Sequence, residues 1–216
     1  MTISTKALHR IAARCTTRWD RHYVPAKLRS DPVYRAALDE VRGSDLPILD
    51  IGCGIGLLTH FLREHDHVVP MTGFDYDERK IASAVQMAAG FQDASFSVGD
   101  ARRDLPEHSG HVLILDILQF FSPEEQNALL REAARRVAPK GKLIIRSGLQ
   151  DDSWRHRITV AGDLLAKWTR WMKSGPVAYP TREQFGRVLG ECGLRVRVQP
   201  MWGGTPFNNH LIVAER

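Results

Sequence analysis

A chain of 216 residues, 43% hydrophobic and 25% charged, has the size and composition of one globular domain, and no apolar run approaches the ~20 residues of a bilayer span. Its three cysteines, Cys15, Cys53 and Cys192, are an odd number without a CxxC pair, which argues against a disulfide framework or a zinc cluster and for a reducing, cytoplasmic compartment. The net charge of +5 is uneven: Lys/Arg outnumber Asp/Glu nine to four in residues 1–42 and seven to four in 151–187, stand at three to two in 188–216, and are outnumbered eleven to fifteen in 43–150. An acidic middle between basic flanks suits an anionic substrate or an acidic partner.

The amino terminus, MTISTKALHRIAARCTTRW, has Lys6, Arg10 and Arg14 among its apolar positions, so it lacks the hydrophobic segment of a secretory signal. The basic helical pattern continues past Trp19 without a processing boundary, which disfavours a mitochondrial transit peptide. LPILDIG then reads as a short buried parallel strand, followed by Leu57, Leu58, Phe61 and Leu62 at helical spacing. VVPMTGFD predicts a second strand, weakened by Pro70, and DERKIASAVQMAAG a helix capped by Asp77 and ended by Gly90. SFSVGD and HVLILDIL are strands three and four. SPEEQNALLREAARRVAPKG predicts a helix with Ser122 and Glu125 as capping box and Pro123 in its first turn. KLIIRS is strand five. TREQFGRVLGECG carries a second capping box, Thr181 and Gln184, and LRVRVQP and NHLIVAE are the final strands. Alternating strands and helices predict an α/β fold, a doubly wound sheet that binds its ligand at the carboxyl ends of its strands.

The glycines of ILDIGCGIG sit at that edge. A dinucleotide fingerprint needs G-x-G-x-x-G, but in register with Gly52 and Gly54 the third position is Leu57, and the third glycine is Gly56. Asp50 stands two positions before the first glycine, where it would repel a pyrophosphate and welcome an ammonium and a sulfonium. Cys53 reads as a small residue tolerated between glycines.

These residues resemble the class I S-adenosylmethionine-dependent methyltransferases over about residues 46–147. Four motifs in order carry the resemblance: LDIGCGIG, GFDYD, VGDA and LILDIL. It implies a Rossmann-like, seven-stranded sheet, mostly parallel with an antiparallel last strand, and S-adenosyl-L-methionine as cofactor, with no metal. It further implies that Asp50, Gly52, Cys53, Gly54 and Gly56 pass beside the methionine part and that Asp75, next to Tyr76, accepts the ribose hydroxyls. Asp100, next to Ala101, would take the adenine amine, and Asp116 and Ile117 would line the pocket. The carboxylates suit those donors chemically.

The expected organisation is one domain: a helical cap (1–42), a cofactor-binding core (43–150), a helical substrate lid (151–180) and a carboxyl-terminal helix with strands (181–216). In the lid, Trp154, Ile158, Ala161, Leu165, Trp168 and Met172 follow helical spacing, with Arg155, Lys167, Arg170 and Lys173 on the polar sides and Gly175-Pro176 as the stop. The cap's Lys27 would pair with the cofactor's carboxylate. DILQFF lacks the amide-methylating Asn/Asp-Pro-Pro-Tyr/Phe motif, and Gln119 stands where many small-molecule members carry a histidine. The candidates for a general base are then His210, His22 and His156, and the resemblance favours His210, because in that architecture the loop before the last strand leans over the pocket.

YVPAKLRSDPVY followed by LDIGCG is similar to the small methyltransferases of bacterial aryl polyene pigment clusters. That resemblance implies a small-molecule, hydroxyaryl or aryl acceptor, carried in some cases on an acidic acyl carrier protein. Nucleic acid is disfavoured, because the chain has no separate RNA-binding module. An RNA-modifying methyltransferase and a non-catalytic cofactor-binding protein are the alternatives, with a nicotinamide oxidoreductase behind them.

Overall fold

The computed structural model describes residues 3–168 and 175–216, and for residues 162–168 the backbone alone. Seven strands form one sheet in the order β3-β2-β1-β4-β5-β7-β6. They are β1 (Ile48–Ile51), β2 (Met71–Asp75), β3 (Ala94–Val98), β4 (His111–Leu115), β5 (Lys142–Gly148), β6 (Arg195–Pro200) and β7 (Asn209–Glu215). β1, β2 and β3 pair in parallel, as do β4 and β5, whereas β7 is antiparallel to both β5 and β6. This is the doubly wound sheet with one reversed strand that the sequence predicts. The chain divides into two compact units, residues 1–111 and 112–216.

The first unit begins with three helices, α1 (Thr5–Arg14), α2 (Arg18–Ser30) and α3 (Val33–Val41). Ser4 and Thr17 cap the first two through their side chains, accepting from the Ala7 and Asp20 amides. α1 buries a single stripe, Ala7, Leu8 and Ile11, and exposes its basic positions. β1 is buried at all four positions, as a central parallel strand should be. β3 has no fully buried residue because it is the sheet edge. α4 (Leu57–Arg63) follows β1, and α5 (Glu78–Met87), capped by Asp77, follows β2. β2 starts at Met71 rather than Val68. Pro70 has no N–H for the ladder, and its carbonyl instead accepts from the Ile48 amide at 2.9 Å.

In the second unit, β4 stops at Leu115, earlier than HVLILDIL suggests, because Asp116 takes a left-handed backbone (φ 60°) and Leu118–Phe120 turn as a 3-10 helix. α6 (Pro123–Arg135) and α8 (Arg182–Glu191) both carry the expected capping boxes, Ser122 with Glu125 and Thr181 with Gln184. α7 (Trp154–Trp168) is a helix within the 151–180 segment, as its apolar spacing predicts. The lid's Arg170, Met172 and Lys173, and the side chains of Leu165, Lys167 and Trp168, lie outside the described residues. Among the described residues no helix is long and apolar enough to cross a membrane.

Candidate functional site

Parallel register fixes what gathers at the carboxyl edge of the first unit. Ile51 lies beside Phe74, and Asp75 beside Val98, so the glycine loop, the Asp75 carboxylate and the Gly99-Asp100 turn leave the sheet side by side. The Gly52 and Cys53 amides both donate to the Phe74 carbonyl, at 2.8 and 3.1 Å, and the Gly99 amide donates to the Asp75 carbonyl at 3.1 Å. The loop itself is left-handed at Gly52, Gly54 and Gly56 (φ 78°, 56° and 76°), which only glycine adopts without strain. Two of its glycines differ in surroundings. A Cβ on Gly54 would meet open space, whereas one on Gly56 would lie 2.9 Å from the Phe96 ring.

Phe96 packs under this loop, a role the sequence did not reveal. A Cβ on Gly73 of β2 would lie 2.7 Å from the Phe96 ring and 2.9 Å from Cys53 Sγ, so Gly73 keeps room for both side chains. The available signal was the glycine in a buried strand, which marks close approach. Cys53 is a protonated thiol. Burial first, then the neighbouring Asp50 and Asp75 charges, push its pKa far up, which bars it from nucleophilic work.

Two acids sit beneath the loop. Asp75 is 6% exposed; its Oδ2 accepts the Gly54 amide at 3.0 Å and its Oδ1 the Asp77 amide at 2.9 Å. Asp50 is 3% exposed, and its Oδ1 has no hydrogen-bond partner among the described residues. Burial, reinforced by the Asp75 charge, raises the Asp50 pKa to about 7. An orphaned buried carboxyl beside a second carboxylate is poorly suited to an anion and fits a cationic ligand.

The other expected contacts of this unit are placed less tightly. Asp100 accepts from the Arg102 amide at 3.0 Å and pairs with its guanidinium, its side chain 37% exposed, and Ala101 lies in the same turn. Tyr76 is 49% exposed between Asp75 and the α5 cap. Lys27 pairs at 2.7 Å with Asp31, the residue that follows α2 and caps its carboxyl end.

In the second unit, Asp116 forms a two-pronged ion pair with Arg146 of β5, whose side chain is 8% exposed, and Ile117 starts the 3-10 turn. His210, on β7, is buried, its Nδ1 at 3.1 Å from the Asn208 carbonyl and its ring edge-on to Trp202. Burial is the main cause that lowers its pKa. The root of α7 is tied to the chain before β7: Thr159 Oγ1 accepts the Asn208 amide at 2.8 Å, and Arg155 donates to the Thr205 carbonyl at 2.7 Å. The Asn208 amide side chain bridges Leu149 and Asp151. His156 lies edge-on to Tyr179, its Nδ1 without a partner among the described residues.

Residues 48–141 match a family model described as a methyltransferase domain. No curated protein matches the sequence. Among solved structures, the chain is similar to the magnesium protoporphyrin IX methyltransferase of Synechocystis PCC 6803 with bound SAH, at 17% identity and TM-score 0.66, over 98% of this chain and 93% of that one. It is similar to the pyocyanin biosynthetic protein PhzM at 19% identity and TM-score 0.68, over 95% of this chain and 60% of that one. A third is an O-methyltransferase family 2 protein of Planctomyces limnophilus complexed with apigenin, at 16% identity and TM-score 0.66, over 98% of this chain and 65% of that one. At such identities the likeness speaks for the fold.

Proposed function

We propose that this chain is an S-adenosylmethionine-dependent methyltransferase acting on a small-molecule acceptor. The observation that carries the reading is the acid pair beneath the left-handed glycine loop: Asp75, and the orphaned Asp50 carboxyl. A pyrophosphate would meet repulsion there, whereas the ammonium and sulfonium of this cofactor would meet attraction. Open space beside Gly54 leaves room for the methionine part. Asp75 would hold the ribose hydroxyls with Tyr76 beside it, Asp100 and Ala101 the adenine, and Asp116, Ile117 and Lys27 further parts of the cofactor. The methyltransferase-domain match over residues 48–141 and the neighbour solved with SAH support the assignment.

The cofactor supplies a methyl group on a positively charged sulfur, ready for in-line displacement. The chain's own work is to align the acceptor, exclude water and, for a hydroxyl acceptor, take its proton. His210 is the base in this reading. A carbonyl can only accept, so the Asn208 contact puts the proton on Nδ1 and leaves the Nε2 lone pair for the acceptor. Its lowered pKa keeps the ring neutral near pH 7.

The acceptor is hydroxyaryl or aryl, free or on an acidic acyl carrier protein, and the setting is cytoplasmic, as in aryl polyene pigment clusters. Exposed Trp154 and Trp202, with the Arg155 guanidinium 4.8 and 4.5 Å from their rings, support an aromatic, anionic partner. The neighbour complexed with apigenin agrees with an aromatic acceptor. Calorimetry with S-adenosylmethionine and with NADH tests the cofactor; no heat with the first overturns the reading. Mass spectrometry of hydroxyaryl acids, free and carrier-bound, then looks for the gain of one methyl group.

A further inference from the structure

The first unit carries a second concave site at the opposite edge of its strands. The segments before β2 and β3 enter the sheet where β1, β2 and β3 begin, and the glycine loop, Asp75 and Asp100 lie where they end. There a cleft of about 470 Å³ has Ile11, His60 and Phe91 among its lining residues, together with Arg10, Arg14 and Arg63. That volume is within the range of small-molecule pockets.

The polar groups of this cleft are fixed but incompletely satisfied. Arg63 donates to the His67 and Val69 carbonyls, each at 2.7 Å, and to Asp93 at 2.8 Å, yet its buried Nε has no partner among the described residues. His60 is 2% exposed, and its Nε2 is likewise without a partner. Two orphaned buried groups in one cleft are costly unless a ligand or solvent meets them. Arg14 donates to the Met87 and Ala89 carbonyls at 2.9 and 3.0 Å, which hold its guanidinium without neutralising it. Arg10, by contrast, is matched by Glu64. The Phe91 ring lies 4.9 Å from the Arg14 guanidinium, 5.9 Å from that of Arg63 and 5.2 Å from the His60 ring.

We propose that this cleft is a binding site for a small oxyanion carried on a planar apolar body, a carboxylate or a phosphate ester. The anion meets Arg14, with the Arg63 and His60 side chains behind it, and the planar body lies against the Phe91 ring. Glu64 and Asp66 also line the cleft and limit the charge it accepts, which favours a monoanion. The site is separate from the glycine loop and does not depend on the methyltransferase reading.

The test uses the full chain with benzoate, phenyl phosphate and inorganic phosphate, followed by calorimetry and by the imidazole nitrogen signals of His60. Benzoate or phenyl phosphate should bind and shift the His60 signals. Arg14→Gln, an exposed substitution, should weaken that binding about tenfold or more, as loss of a charged hydrogen-bond donor does. His60→Phe should weaken it as well, and S-adenosylmethionine affinity should be unchanged in both variants. Absence of binding by both aromatic anions, or binding indifferent to both substitutions, overturns the site. Inorganic phosphate binding as tightly as phenyl phosphate overturns the part given to the apolar floor. Loss of cofactor binding in the unsubstituted protein would count against the methyltransferase reading alone.

Discussion

The Asp75 carboxylate accepts the Gly54 amide proton at 3.0 Å, so the acid ending β2 and the glycine loop after β1 are built as one piece. Asp75→Ala removes the acceptor of two backbone amides, Gly54 and Asp77. S-adenosylmethionine affinity should fall by at least about 1 kcal/mol, and stability to urea should fall with it. Asp75→Asn keeps one acceptor oxygen and should separate loop support from charge. Unchanged affinity in the alanine variant, measured by calorimetry, would remove Asp75 from the cofactor site.

Asp50 should make both stability and cofactor binding depend on pH. Between its ordinary value of 3.8 and its native value of about 7, the unfolded chain has lost the Asp50 proton and the native state keeps it. The native state then binds more protons, so this residue's contribution to stability falls as pH rises through that window, by up to about 1.4 kcal/mol per unit. A cationic ligand favours the ionised form, so S-adenosylmethionine affinity should rise with pH and level off above about pH 7. In Asp50→Asn the affinity should be weaker and the pH dependence gone, with stability gained above pH 7. Titrations in buffers of different ionisation enthalpy check this directly, and equal proton release by the variant would contradict it.

Phe96 distinguishes two reasons for glycine. Gly73→Ala meets only a steric obstacle, the Phe96 ring and Cys53 Sγ, and should cost about 1–3 kcal/mol. Gly56→Ala meets the same ring and also a left-handed backbone, which adds about 1–2 kcal/mol. Phe96→Leu should therefore recover much of the Gly73→Ala loss and little of the Gly56→Ala loss. Urea denaturation of the two double variants reads the difference; equal recovery would mean that the backbone penalty at Gly56 is small.

How much of this was readable from the sequence follows from range. The helix caps at Asp77, Ser122 and Thr181 and the buried strands ILDI and HVLIL are local patterns, and the structure contains each of them. The alternation of strands and helices was enough for the doubly wound sheet, because that topology is set by connection geometry. Contacts between distant residues carried no such signal. Nothing in FSVGD announces that Phe96 lies under Gly56 and Gly73, and nothing in LILDIL announces that Arg146 takes the Asp116 carboxylate. The cleft joins residues of α1, of α4 and of the segments after α4 and α5, which no local pattern brings together.

The Asp116 and Arg146 pair should contribute to stability irrespective of any cofactor. Asp116 holds a left-handed conformation that asparagine also tolerates, so Asp116→Asn removes the charge with little backbone change. The Arg146 side chain, 8% exposed, then keeps its charge without the carboxylate, and the protein should lose about 2–3 kcal/mol, somewhat less than a fully buried pair because Asp116 is one-third exposed. Denaturant midpoints measure the loss. A change in cofactor affinity at full folding would give Asp116 the additional pocket role.

The general-base assignment makes a kinetic prediction with a definite sign. His210 acts only when neutral, so with a hydroxyl acceptor the rate should fall on the acid side as the ring is protonated. Burial lowers its pKa from the ordinary 6.5, so that limb should lie below pH 6.5. His210→Ala should remove the limb and lower kcat by roughly 100-fold or more, with cofactor affinity nearly unchanged. His210→Gln tests packing against Trp202 separately, because it restores bulk without a base. A variant with full kcat and the same pH profile would exclude His210, and attention would move to His156, whose Nδ1 is buried beside Tyr179 without a hydrogen-bond partner among the described residues.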